Sequence, residues 1–215
     1  RSATPGTQPG QRHRVDVEWI RSLEPLPETA DELRTIATWL KDDTAELLLR
    51  DRARKPIIRE MPLKDFRVIA FATHAIVAGT LRGVGEPAII LTPPAQYSER
   101  DNGLLTSSDI AVMQLDADWV LLSACNTASP DGQPDADGFS GLAQAFFYAG
   151  ARGMLVSHWS VESTAAARLT TGMFAALGKD STIGKAEALR RSIVALMEDR
   201  QSPHMAHPLF WAPFV

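Results

Sequence analysis

The chain is poor in cysteine and tyrosine, with one Cys and two Tyr among 215 residues, and it carries no excess of positive charge. A single thiol, Cys125, permits no internal disulfide, so core packing must hold the fold, and this usage suits a reducing compartment. A formal net charge of -4 supplies no basic field for phosphates, which removes the electrostatic basis for binding nucleic acid. No apolar run approaches the roughly 18 residues of a membrane-spanning helix. The opening RSATPGTQPGQRHR has no apolar segment of the signal-peptide kind. The chain is therefore expected to be soluble and cytoplasmic, with no membrane partner. The GVGEP stretch around Gly83 lacks the strand, turn and helix context of a phosphate loop, so no nucleotide or other cofactor is expected. His204 and His207 stand three apart without a cysteine or clustered carboxylates to complete a ligand set, so no metal is expected either.

What is present is an ordinary globular composition, 45% hydrophobic and 22% charged, in a length that buries one substantial core. Residues 1–14, rich in Pro, Gly, Ser and Thr, read as a flexible leader or linker end, and the folded domain is placed at 15–215. In PETADELRTIATWLK, Leu33, Ile36, Ala37 and Leu40 recur at helical spacing after an acidic first turn. TAELLLRDRAR reads as a further short helix. FRVIAFATH, PAIILT, DWVLLSAC and GMLVSHW are apolar runs without helical period, as expected of strands buried on both faces. Helices are expected over about 107–114, 139–149, 163–177 and 183–199. Alternating buried strands and helices indicate an α/β fold with a largely parallel sheet.

In such sheets ligands bind beyond the carboxyl ends of the strands, so the residues that close each strand carry the most information. FRVIAFATH ends in His74, DWVLLSAC in Cys125, and GMLVSHW in His158 and Trp159. A lone cysteine closing an apolar run is most often a buried filler, and a histidine beside a tryptophan is more often packed than catalytic. His74 and Cys125 nevertheless supply the two halves of a cysteine hydrolase. The histidine precedes the cysteine by close to the ~50 residues found in caspases.

The stretches FATH, LLTSSDI, LLSACNT, GFSGLAQAFFYAGARGMLVSHWSVES and HPLFWAPFV, in this order, resemble the successive motifs of CHAT domains. These are caspase-like peptidases of bacteria, often found behind tetratricopeptide repeats. The resemblance covers roughly residues 25–215 and implies a caspase-hemoglobinase-like α/β/α sandwich, in the clan of caspases, separase and gingipains. It implies a cysteine endopeptidase with Cys125 as nucleophile and His74 as its proton-transfer partner. The oxyanion would be held by the backbone N–H groups of Cys125 and Ala75. A protein substrate is implied, together with control by a regulatory protein or an N-terminal repeat region. Where the family pattern has Thr-His-Gly, this chain has Thr73, His74 and Ala75, and it has Asn126 and Ala128 where Glu and Gly are common. An alanine forced to positive φ would be strained. An inactive pseudopeptidase serving as an interaction module is therefore the alternative reading, and a flavodoxin-like small-molecule enzyme a more distant one. Two acidic residues are assigned to substrate binding. Glu162, by its likeness to an acidic residue of the separase branch, would receive a basic P1 side chain. Asp137 would border the cleft from the loop after the cysteine. The competing reading of Glu162 is an acidic residue in the first turn of the next helix.

Overall fold

The computed structural model describes residues 15–41, 43–98, 100–123, 137–159 and 161–215. In chain order its elements are α1 (Val17–Arg21), α2 (Glu28–Leu40), α3 (Lys55–Glu60), β1 (Val68–Phe71), β2 (Ala75–Ile76), β3 (Ala88–Ile90), β4 (Leu104–Thr106), α4 (Ser107–Ala111), β5 (Trp119–Leu122), α5 (Asp137–Ala149), β6 (Met154–Leu155), α6 (Ser163–Lys179) and α7 (Lys185–Met197), with short 3-10 turns between.

The strands form two sheets: a parallel one in the order β1-β5-β6, and an antiparallel one in the order β2-β3-β4. In the parallel sheet successive side chains alternate between two apolar layers, as the period of a strand requires. Val120 and Leu122 of β5 join Ile69 and Phe71 of β1 in a layer with Leu142 and Phe146 of α5. Trp119 and Leu121, with Val68 and Ala70, face the opposite layer, built from Ile36 of α2, Leu169 and Phe174 of α6 and Leu196 of α7. Helices thus cover both faces, which is why β5 is buried at every position. The antiparallel sheet shares the first layer through Ala75, Ile89 and Leu105. Its other face carries Ile76, Ala88, Ile90 and Leu104 against Ile20 of α1. Beyond β6 the chain end closes the sheet edge. Val156 and Val215 exchange backbone hydrogen bonds of 3.0 and 3.1 Å, and Phe214 is buried.

One ion-pair clip fixes the three parallel strands at their amino ends. Asp118 immediately precedes β5 and accepts from Arg67, just before β1, at 2.7 Å through Nε. Its other oxygen accepts from Arg152, just before β6, at 2.8 Å. These hydrogen bonds, with the charges of both arginines, hold the Asp118 carboxyl below the usual aspartate value.

Three expectations need correction. TAELLLRDRAR forms no α-helix. Only Arg50–Arg52 turn, as a 3-10 segment, because Arg50 takes φ +50 and its carbonyl accepts from Thr92 Oγ1 at 2.7 Å, while Leu48 packs into the first layer. FRVIAFATH is not one strand. The chain leaves β1 after Phe71 and enters the other sheet at Ala75. PAIILT is buried on both faces as expected, but it pairs antiparallel on both sides, so the parallel sheet has three strands. Strand β4 and helices α1 and α3 had no counterpart in the pattern reading. Among the described residues no helix is long and apolar enough to cross a membrane.

The clip generates a prediction with a definite sign. A depressed aspartate value means that the contribution of Asp118 is present above its unfolded value and is lost as pH falls through the lower folded one. Asp118→Asn should lower the melting temperature near neutral pH by no more than a few degrees, because the pairs are exposed and screened. The wild type and variant melting curves should converge in acid and in high salt.

Candidate active site

His74 lies in the turn between the sheets, three residues beyond the end of β1. Its backbone is fixed from β3: Thr73 Oγ1 donates to the Ile90 carbonyl at 2.8 Å, and the Ile90 N–H donates to the His74 carbonyl at 2.9 Å. The half-buried ring is fixed from the opposite side, where Nε2 lies 2.7 Å from the Glu24 backbone oxygen. A carbonyl only accepts, so Nε2 carries the proton, and in the neutral ring Nδ1 keeps a free lone pair. Glu24 sits in the connection between α1 and α2 and precedes Pro25, which biases it to an extended backbone and helps to aim its carbonyl. Ile20, Leu23, Leu26, Ile90 and Pro93 wall a cavity of about 220 Å³ beside the imidazole. A larger hollow of about 330 Å³ lies by α3 and α4, lined by Arg59, Lys64 and Met113, with neither a histidine nor a cysteine. The smaller cavity is the one that His74 lines.

Ala75 opens β2 at 3% exposure, and among the described residues only Lys41 and Arg50 are non-glycines at positive φ. The alanine is therefore an ordinary strand residue without the strain that replacing glycine would bring at a left-handed position. The ladder also sets where its N–H points. His74 and Ile90 form the bonded pair, so Ala75, opposite Ile89, is the non-bonded one, and its N–H turns away from β3. β2 is an edge strand, so this N–H lies on the open side.

β5 runs parallel to β1 as its direct neighbour, with Val68 opposite Trp119 and Phe71 opposite Leu122. The offset of 51 positions also separates Arg67 from Asp118, and it is the separation of His74 from Cys125. Each of these two residues stands three beyond the last paired residue of its strand. Cys125 itself lies outside the described residues, as do Asn126, Ala128, Asp131 and Asp135. Asp137 is the first residue of α5, and its side chain lies outside the described part.

Glu162 is exposed and occupies the N-cap position of α6, yet its side chain makes no capping hydrogen bond. The start of α6 is tied to the His74 side of the molecule through α2. Ser163 Oγ donates to Glu28 at 3.2 Å, and Thr29, the next residue, lines the His74 cavity. His158 is exposed and donates its backbone N–H to Pro213, while the Trp159 indole donates to Leu209 at 3.2 Å. His204 packs edge-on against Phe210, and His207 Nδ1 accepts the Leu209 N–H. Both histidines stay within the C-terminal segment. Among the described residues no group of three or more His, Cys, Asp or Glu is arranged to hold a metal ion.

The contact that fixes the His74 ring had no signal in the sequence. The Glu24 carbonyl is backbone, for which no residue type speaks; the only sequence trace is the proline after it.

A family model described as CHAT domain matches residues 7–215. Comparison with curated proteins and with solved structures returns no match.

The ring geometry is open to direct measurement. In ¹⁵N-detected spectra of the neutral His74 imidazole, Nε2 should resonate as the protonated nitrogen and Nδ1 as the bare one. The reverse tautomer would contradict the Glu24 contact.

Proposed function

The chain belongs to the CHAT-domain family, which is related to caspase-like cysteine peptidases, and on that premise we propose that it is a cysteine endopeptidase acting through Cys125 and His74. The observation that carries this reading is the fixed His74 imidazole, its Nε2 proton held by Glu24 and its Nδ1 left to serve a neighbour at the strand exit in register with β1. The parallel pairing of β1 with β5 and the helices on both faces support a caspase-hemoglobinase-like arrangement.

The chemistry follows from the atoms. An ordinary thiol with pKa near 8.5 is only a few per cent thiolate at neutral pH. Nδ1 of His74 takes the Cys125 proton, and the resulting imidazolium is stabilised by a stronger Nε2–H bond to the Glu24 carbonyl. Sγ attacks the scissile carbonyl. The oxyanion that forms is held by the Ala75 N–H, directed away from the β3 ladder, and by the Cys125 N–H. Collapse of this intermediate breaks the C–N bond, and the imidazolium gives its proton to the departing amine. Water, deprotonated by Nδ1, then cleaves the thioester and restores the thiol. A regulator bound to the α1 segment would reach His74 through Glu24, a physical route for control by a partner or an N-terminal repeat region.

Glu162 is proposed to read a basic P1 residue. Its carboxylate makes no capping bond although it sits at the helix start, which leaves it for a guanidinium or ammonium group. Asp137 is retained as a residue bordering the cleft. The alternative of an inactive interaction module loses the argument from Ala75, because that position takes unstrained strand geometry.

Two experiments test the reading. Cys125→Ala and His74→Ala should each abolish cleavage in a peptide library while leaving the melting temperature within a few degrees of wild type. Residual cleavage in either variant within about tenfold of wild type would indicate another nucleophile or base, and no cleavage by the wild type would favour the inactive module. Glu162→Gln should slow cleavage after Arg or Lys by roughly tenfold to a hundredfold and leave other P1 residues unaffected.

A further inference from the structure

The larger hollow takes no part in the proposed chemistry and shares no residue with the His74 cavity. It lies where α3 and α4 meet. Ile58, Met61, Leu63, Val112 and Met113 give it an apolar lining, and Ile58, Leu63 and Met113 continue inward into the first layer. The two helices are locked together beside it. Lys55 of α3 is buried, and its Nζ lies 2.6 Å from the Asp109 carboxylate of α4. The same carboxylate closes the α4 cap by accepting from the Thr106 N–H at 3.1 Å. The walls of the hollow are therefore fixed without any occupant.

What the hollow lacks is a cover. Val112 is 75% exposed, and among the described residues only Tyr148, at 76%, is a more exposed large hydrophobic. The two belong to one corner of the molecule, because the N–H of Leu115, three residues after Val112, donates at 2.8 Å to the carbonyl of Ala149, the neighbour of Tyr148. Apolar side chains left this far in water at a walled hollow mark a surface for binding. The charges say of what kind. Arg59 and Lys64, both exposed, stand on the rim. The one carboxylate of the lining, Asp109, is already neutralised by Lys55 and lies 3.7 Å from Arg59. Lys64 makes no ion pair among the described residues. Glu60 and Asp65, next in sequence to these two cations, do not line the hollow. A chain of net charge -4 thus presents here a local excess of positive charge over an apolar floor.

We propose that this hollow docks an acidic segment of a partner polypeptide, which seats an apolar side chain among Met61, Leu63 and Met113 and sets carboxylates on Arg59 and Lys64. The floor supplies the affinity, and the two cations select the sign of the partner. The volume of about 330 Å³ stands at the low end of the ~300–1,000 Å³ of ligand pockets and suits the anchoring side chain of a peptide. The site is independent of the peptidase reading, because no step of cleavage uses it.

The probe is a set of fluorescein-labelled dodecapeptides, each with one Leu, Met or Phe and with two Glu, two Gln or two Lys at every spacing within four residues of it, titrated with the full chain and followed by anisotropy. Glutamate peptides should bind at least about tenfold tighter than their glutamine and lysine counterparts in about 0.1 M salt, and the margin over glutamine should shrink in about 1 M salt. Side-chain methyl signals of Ile58, Leu63, Val112 and Met113 should shift on binding. Arg59→Ala and Lys64→Ala should each weaken binding by roughly fivefold to tenfold, and Val112→Glu by more than about tenfold. All three side chains are exposed, so the melting temperatures should stay within a few degrees of wild type. The proposal is overturned if no glutamate peptide of the set binds, if glutamine or lysine peptides bind as tightly, if Val112→Glu binds like wild type, or if the shifts fall on other residues. Sedimentation of the chain alone gives a second readout. A concentration-dependent dimer that Val112→Glu dissolves would assign the face to a second copy and overturn the proposal, whereas a monomer at every concentration agrees with it.

Discussion

The parallel ladder between β1 and β5 is the constraint on which the rest of the molecule depends. Four residue pairs, from Val68 with Trp119 to Phe71 with Leu122, fix both the direction and the register of the two chain exits. A slip of one residue would turn Val120 and Leu122 out of one apolar layer and into the other, so the two layers enforce this register from both sides. The Asp118 clip holds the same strands at their amino ends, where nothing catalytic is proposed. The clip and the proposed chemistry thus lie at opposite ends of the strands.

At the carboxyl edge the polar groups are arranged for position more than for strength. His74 is held through its backbone by β3 and through Nε2 by a carbonyl from the α1–α2 connection, two anchors from separate parts of the chain. Glu32 of α2 sits under α6, a carboxyl that burial disfavours and that accepts from the buried Thr170 hydroxyl at 2.6 Å. Groups of this kind lower stability and narrow the range of geometries, the exchange expected where reacting atoms must be held to a fraction of an ångström.

The long elements were legible because their signals are local. The apolar spacing of α2 and the unbroken apolar run of β5 both appear where the residues place them. His74 was read as the last residue of its strand, but the strand ends at Phe71, where the chain changes sheets. That change was illegible because it depends on a long-range bond, Thr73 to the Ile90 carbonyl. The extended path of residues 45–49 was misread for a similar reason: Arg50 at positive φ and its link to Thr92 override the helical preference of a Leu-rich stretch. The Glu24 carbonyl left no trace in side-chain chemistry, and the burial of Glu32 depends on what α2 packs against.

The central claim is that His74 governs the ionisation of Cys125, and the pH dependence of alkylation of this single thiol tests it most directly. Wild type should react with a midpoint well below the roughly 8.5 of a free cysteine, and His74→Ala should return the midpoint to about that value. A midpoint near 8.5 in both proteins, with equal rates across the range, would contradict the account.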